Sequence, residues 1–337
     1  MIAAVAPTLR VQSGFDAAFA RDVAEGLGRP GQKMLPPTWF YDDAGSALFE
    51  AITQLPEYAL TRTEERLLAR VAQDIVREAG SPRLIVELGS GSGTKTRNIL
   101  EAALRDTCAE PGAKNQNPVT YAPVDVSPAA LEVCAAELGR ISGVHVEPVA
   151  AKYLDGITVA LRGRRAGEPA LVLFLGSTIG NFTRREGTAF LKRVRGLLQP
   201  GDALLVGGDL VKPAATLIAA YDDAAGVTAA FNLNLLARIN RELGGEFDLR
   251  GFAHEARWNS RARRIEMHLR SHVAQQVRVN RLGRTFCFGA GETIWTESSH
   301  KFRLGELARM GERAGCIAVQ EWAEEEWGFT ETLFRIP

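Results

Sequence analysis

The stretch Leu84-Ile85-Val86-Glu87-Leu88-Gly89-Ser90-Gly91-Ser92-Gly93 decides how the rest of the chain is read. An apolar run of strand type enters a turn with glycine at alternate positions, and a helix is expected from about Thr94. Glycines there let the backbone pass close to a ligand with no Cβ in the way. On an α/β sheet such a turn lies at the usual ligand crevice, although a tight strand-to-helix turn alone would use the same residues. The spacing is G-x-G-x-G with Glu87 two residues ahead, which differs from the G-x-G-x-x-G that seats a dinucleotide pyrophosphate on a helix N-terminus.

Outward from this turn, apolar runs at 119–124, 144–149, 171–175 and 203–206 alternate with helical stretches. Five buried-type strands in that rhythm predict βαβ units and a parallel sheet. Ser127-Pro128 is an N-cap and N1 pair for one crossover helix, and 185–198 supplies another. The strand after the glycine turn ends in Val124-Asp125-Val126-Ser127, where the carboxylate of Asp125 can accept both hydroxyls of a ribose. The fourth strand leaves through Gly176-Ser177-Thr178-Ile179-Gly180-Asn181, a polar floor beside the same crevice.

The flanks read differently. The first forty residues hold Gly26, Gly28, Pro30, Gly31, Pro36 and Pro37, which suggests a segment that wraps on a body rather than a helical one. Asp42 and Asp43 can cap a helix through Leu48, Phe49 and Ile52; Pro56 stops it before a second helix from about Thr61 to Gly80. After Gly207-Gly208-Asp209 the alternation breaks. A helical stretch at 212–243, interrupted near Gly226, precedes strand-like alternation at 264–272 and 285–288, an insertion with its own antiparallel sheet. A helix at 304–314 and strands at 316–322 and 329–334 can return to the main sheet.

Composition bounds the function. The chain has 337 residues, 46% hydrophobic and 24% charged, which excludes fibrous and disordered classes. Forty Lys+Arg balance forty Asp+Glu, which argues against nucleic-acid or membrane partners and for a small ligand bound by local groups. No apolar run reaches bilayer length and no basic-then-apolar leader opens the chain, so a cytoplasmic protein is expected. Cys108, Cys134, Cys287 and Cys316 are scattered, and His268 with His272 lacks a third ligand, so no metal site is expected.

With these residues in place, the G-x-G-x-G loop resembles that of class I S-adenosylmethionine-dependent methyltransferases. The whole chain from about Leu35 to Trp322 resembles the histidine-specific Nα-methyltransferases, within the amino-acid betaine synthases. The strings that carry the resemblance include Leu55-Pro56-Glu57-Tyr58, Glu87 to Arg97, Gly176 to Asn181, Ala220-Tyr221-Asp222-Asp223, Ile265-Glu266-Met267 and Thr296-Glu297-Ser298-Ser299. The resemblance implies a Rossmann-like α/β methyltransferase domain (61–209 and 300–337) and an α+β substrate-binding domain (1–60 and 210–299).

It also implies that Gly89, Gly91, Lys95, Asp125 and Tyr153 hold S-adenosylmethionine. Tyr58, Asn181 and Tyr221 would hold the amino-acid head group, Tyr41 would lie near the amine, and Glu297 and Ser299 would hold the imidazole, with Met267 packed on the ring. Tyr41 and Asn181 would be the catalytic pair. The implied reaction is trimethylation of L-histidine to hercynine, the first step of ergothioneine biosynthesis, by a monomer. The family's Gly-Asp-Tyr/Phe is Ala151-Lys152-Tyr153 here, so an acid that would contact the adenine amine is replaced by a lysine, and Asp155 is the nearest substitute. A betaine-forming enzyme for another amino acid and a non-catalytic paralogue are the alternatives; a nicotinamide oxidoreductase fits the loop spacing worst.

Overall fold

Residues 16–106, 118–165 and 167–337 are described by a computed structural model of the chain. The first of them contradict the reading of a helix-free wrap: α1 runs over Ala17–Leu27, capped by Asp16, with Phe19, Val23 and Leu27 buried on one stripe. The Gly and Pro cluster that masked it begins only at the helix's last turn, where a Cβ on Gly26 would lie 2.0 Å from the Met34 carbonyl oxygen. The segment does then wrap, since β1 (Lys33–Met34) adds in parallel to a distant strand at Ile294 and Trp295.

The next elements follow the expected order. Asp42 caps α2 (Asp43–Thr53), and α3 (Leu60–Glu78) packs its Leu67, Leu68, Val71 and Ile75 stripe inward. Then come β2 (Leu84–Leu88), a 3₁₀ turn at Thr94–Thr96, α4 (Arg97–Asp106), β3 (Val119–Asp125) and α5 (Pro128–Leu138) with Ser127 as its cap. The run at 144–149 is two strands, β4 (Val144–Val146) and β5 (Val149–Ala150), because Pro148 has no N–H for the ladder. After α6 (Tyr153–Ala160) and β6 (Ala170–Phe174), a capping box of Thr183 and Glu186 opens α7 (Arg184–Arg195), which leads to β7 (Ala203–Asp209).

The second half holds α8 (Ala214–Tyr221) and α9 (Val227–Leu243), broken at Gly226 where φ is +74°. It continues with β8 (Phe252–Asn259), β9 (Arg264–Ser271), the hairpin β10 (Gln275–Val279) and β11 (Arg284–Phe288), and β12 (Thr293–His300). The chain ends with α10 (Glu306–Arg313), β13 (Ile317–Glu324) and β14 (Phe329–Arg335).

These strands make a main sheet in the order β13-β14-β7-β6-β2-β3-β4, with β5 also on β3. Its strands run parallel except for β14, which lies antiparallel between β7 and β13. This is the Rossmann-like α/β fold. A second sheet, β1-β12-β9-β8, comes from the N-terminal segment and the insertion. Between β2 and β6 the chain order reverses, so the carboxyl ends of those strands open the crevice in which such sheets bind ligands. One apolar cluster runs from Phe19 and Phe231 through Leu269 to Leu173 and Leu205, so the two sheets share a core behind that crevice.

Candidate active site

The glycine turn is built for close approach. Gly89, Gly91 and Gly93 all have positive φ (70°, 52° and 72°), and the space in front of Gly91 is free of atoms to 4 Å. A Cβ on Gly93 would meet Cys134 Sγ at 2.6 Å, so that glycine serves packing. Glu87 does not face the crevice. It is buried and accepts Thr96 Oγ1 at 2.6 Å and the Tyr121 hydroxyl, which ties the two ends of the turn together. Burial pushes its carboxyl up to about 7.

Asp125, at the end of β3, accepts the Gly91 N–H at 3.2 Å and the Ser127 N–H at 2.9 Å. Ser127 itself caps α5, accepting the Ala130 N–H at 3.3 Å, so the Asp125 carboxylate, only partly buried, is not spent on the helix. Tyr153 lies against the turn, its hydroxyl 3.4 Å from where a Gly89 Cβ would stand, and its ring packs on Phe174 and Phe190. Lys152 is exposed at the cap of α6, and Asp155 is exposed in that helix's first turn.

Lys95 turns inward. Its ammonium pairs with the fully buried Glu64, whose other oxygen accepts the Gly176 N–H at 2.6 Å. One carboxylate thus joins the turn after β2 to the turn after β6, across the point where strand order reverses. Burial and the neighbouring Glu64 raise the Glu331 carboxyl beside this pair well above its usual range. Sequence reading missed Glu64 because it sits at a core position of α3, where an acid is indistinguishable from a surface residue one helical step away.

The face opposite is aromatic. Tyr41, Phe49, Phe231, Tyr58 and Tyr221 form a continuous chain of edge and tilted ring contacts. Burial raises the hydroxyls of Tyr41, Tyr58 and Tyr221 well above the ordinary tyrosine value, with Glu297 adding to each, so all three stay neutral. Glu297 and Ser299 reach this face through a β-bulge. On β12 the pairing slips between Trp295 and Glu297, so Thr296 is the extra residue and bonds the Met267 carbonyl at 3.0 Å. After the slip Glu297 pairs with Met267 and Ser299 with Ile265, on the face that Ile294 occupies before it. Strand alternation alone would have aimed both residues away. Burial pushes the Glu297 carboxyl up to about 7, against the lowering effect of Lys301.

Lys301 is a second residue that sequence reading missed. Its fully buried ammonium donates to Tyr221 Oη at 2.9 Å, Ser299 Oγ at 3.0 Å and Asp209 Oδ2 at 2.8 Å. All three N–H bonds are used. Tyr221 and Ser299 also bond each other at 2.7 Å, so of their two hydroxyl hydrogens one lies between them and one remains for a ligand. The only signal in the sequence was position, two residues beyond Ser299. Asn232 donates to His254 Nδ1, which leaves Nε2–H to hold the Tyr221 carbonyl at 2.7 Å. Asn181 closes the 3₁₀ turn after Gly176; that turn is held to β12 by the bond from His300 Nδ1 to the Gly180 carbonyl at 2.8 Å. The Asn181 side chain makes no hydrogen bond within the described residues and is free to engage a ligand.

Beside Tyr41, a cavity of about 410 Å³ opens between the start of α2 and the end of β3, with Val126 and Ser127 on its far wall. Contacts therefore join Tyr41, Tyr58, Tyr221 and Ser299 with Glu297 and Met267 on β12 and β9, and Gly91 with Asp125 and Gly89 with Tyr153 at the turn; Tyr41 lies near both sets, since Glu297, Tyr153 and Asp125 all add to the upward push on its hydroxyl. Among the described residues no group of side chains could hold a metal ion, and no helix is long and apolar enough to cross a membrane. Cys108 lies outside the described residues.

Residues 19–336 match the family described as histidine-specific methyltransferase, SAM-dependent. The chain belongs to this family. Among curated relatives of this methyltransferase, histidine N-alpha-methyltransferase of Mycolicibacterium smegmatis is 46% identical over 94% of both chains, and that of Mycobacterium tuberculosis is 45% identical over the same shares. The L-tryptophan methyltransferase of Psilocybe serbica is 28% identical over 90% of this chain and 89% of its own.

The crevice fits the cofactor that the family uses. Nothing stands within 4 Å of where a Cβ on Gly91 would be, so the turn leaves its backbone open to a ligand, and Asp125 offers a carboxylate beside it. The rings and neutral hydroxyls opposite suit a sulfonium cation.

Proposed function

We propose that this methyltransferase transfers three methyl groups to the α-nitrogen of L-histidine, giving hercynine for ergothioneine biosynthesis. The observation that carries this reading is the bulge on β12, which sets Glu297 and Ser299 beside Met267 on the face that the tyrosines line. A carboxylate there recognises an imidazole N–H, and a side chain without one would leave the half-buried Glu297 unpaired. In this reading Tyr58, Tyr221 and Asn181 donate to the substrate carboxylate, and Met267 packs on the ring.

Gly89, Gly91, Asp125 and Tyr153 would hold S-adenosylmethionine, with Lys95 anchoring the loop through Glu64. When bound, the cofactor supplies an electrophilic methyl carbon on a sulfonium. The chain's own contribution is alignment and exclusion of water. Tyr41, kept neutral by burial, is no base; it relays the proton that the α-amine sheds, its oxygen taking that proton as its own hydroxyl proton passes to water in the cavity beside it. The ring wall of Tyr41, Phe49 and Phe231 accommodates the ammonium as it grows and its charge becomes permanent. We read the protein as a monomeric, cytoplasmic enzyme with no nucleic-acid partner.

The test is a panel of single amino acids, each incubated with S-adenosylmethionine, with S-adenosylhomocysteine release as the readout. Turnover on histidine alone is expected. Turnover on another amino acid and none on histidine would move the chain to the neighbouring specificity, and cofactor binding without turnover on any would make it a silent paralogue.

A further inference from the structure

Away from the crevice, α7 and α10 enclose a recess of about 260 Å³ lined by Arg184, Arg263, Arg303, Arg309 and Arg313 around Glu306. The spacing 306, 309 and 313 places three of these on one face of α10. Five guanidinium groups face one carboxylate, and Glu306 is already engaged: it accepts Arg184 Nε at 3.0 Å, Arg263 Nη2 at 2.8 Å and the Arg303 N–H at 3.0 Å. Nearby acids are also committed, Glu321 to the Gly305 N–H and Glu186 to the cap of α7.

The side chains of Arg303, Arg309 and Arg313 are exposed, with no carboxylate within ion-pair distance among the described residues. Arg184 Nη1 is buried and has no hydrogen-bond partner. Arg263 lies in the turn between β8 and β9, where its φ is +52°, and its guanidinium reaches Glu306 from there. Like charges gathered this way repel unless a counter-anion joins them, and the guanidinium fork matches phosphate oxygens in pairs. The volume equals roughly nine waters at ~30 Å³ each, room for a short chain of phosphoryl groups.

We propose that this recess binds a compact phosphate-bearing polyanion of two or three linked phosphoryl groups. The inference stands apart from the amino acid that the enzyme methylates. Isothermal titration of the full chain with inorganic tripolyphosphate, at ionic strength matched with chloride, tests it. One-to-one saturable binding is expected, weakened about tenfold or more in Arg309→Ala/Arg313→Ala, whose thermal unfolding and methyl-transfer rate without polyphosphate stay as in the parent. Arg303→Ala, in the loop ahead of α10, gives an independent reading and should weaken binding likewise.

ATP in a parallel titration separates the sources. Equal affinity for ATP and tripolyphosphate supports recognition of the phosphates alone, and tighter ATP binding that is still lost in the variants supports a nucleotide occupant. No saturable binding, or binding that both variants retain, overturns the proposal. So does an RNA duplex or an anionic phospholipid vesicle that binds more tightly than tripolyphosphate at equal phosphate concentration, because the site would then be part of an extended surface.

Discussion

Replacing Glu297 by Gln should make the ligand-free enzyme more stable while damaging its recognition of histidine. Burial lifts the Glu297 carboxyl from 4.5 to about 7. A carboxyl raised in the folded state favours folding when protonated, so its cost grows as pH rises from 4.5 and is complete above about 7. At ~1.4 kcal/mol per pH unit the full cost is about 3 kcal/mol. Partial exposure makes this an upper value. Urea unfolding of the parent and Glu297→Gln should therefore differ by up to ~3 kcal/mol at pH 8, ~2 at pH 6 and under ~0.5 at pH 4.5, with the variant the more stable. The same change removes a charge-assisted acceptor and should raise the KM for histidine by ~10–100-fold, with the KM for cofactor nearly unmoved. A variant no more stable than the parent at pH 8, or a gain that does not shrink toward acid, would refute the desolvation argument. Equal damage to both KM values would refute the assignment to the imidazole.

Lys301→Met removes the donor that orients Tyr221 and Ser299 and leaves Asp209 with Lys212 alone. It should cost ~3 kcal/mol in urea unfolding and raise the KM for histidine; an unchanged KM would show that the hydroxyl pair needs no cation. Gly91→Ala has open space but a positive φ, so it should lose ~1 kcal/mol of stability while weakening cofactor binding, read by titration. Gly93→Ala, which drives a Cβ into Cys134 and Leu138, should instead lose ~3 kcal/mol in thermal or urea unfolding. Across a buffer series kcat/KM for histidine should rise through pH 7 as Glu297 ionises and keep rising as the α-amine loses its proton; Glu297→Gln should lose the lower limb, and a flat profile would contradict both steps.

Much of this arrangement was legible before any coordinates. The alternation of apolar runs with capped helices placed β2, β3, β6 and β7, because strands buried on both faces leave little ambiguity of period. The glycine turn and Asp125 were readable for the same local reason. What was hidden depends on contacts between distant segments. The helix Ala17–Leu27 was overlooked because its Gly and Pro neighbours outweighed a short amphipathic stripe.

Lys301 and Glu64 acquire meaning only where β12 meets β7 and α3 meets the turns after β2 and β6. Glu297 and Ser299 were named through family resemblance, and the reason they face the crevice is a one-residue slip in pairing that no period in the sequence announces. The arginines of the recess come from four separate segments and gather only in the fold.

The central claim, that this crevice aligns the α-nitrogen of histidine and tolerates it through to a permanent cation, is tested most directly by the product itself. Mass spectrometry with fragmentation of L-histidine after exhaustive reaction should reveal a gain of three methyl groups, all on the α-nitrogen and none on the imidazole. A methyl on the ring, or accumulation that halts at one methyl with enzyme and cofactor in excess, would contradict it.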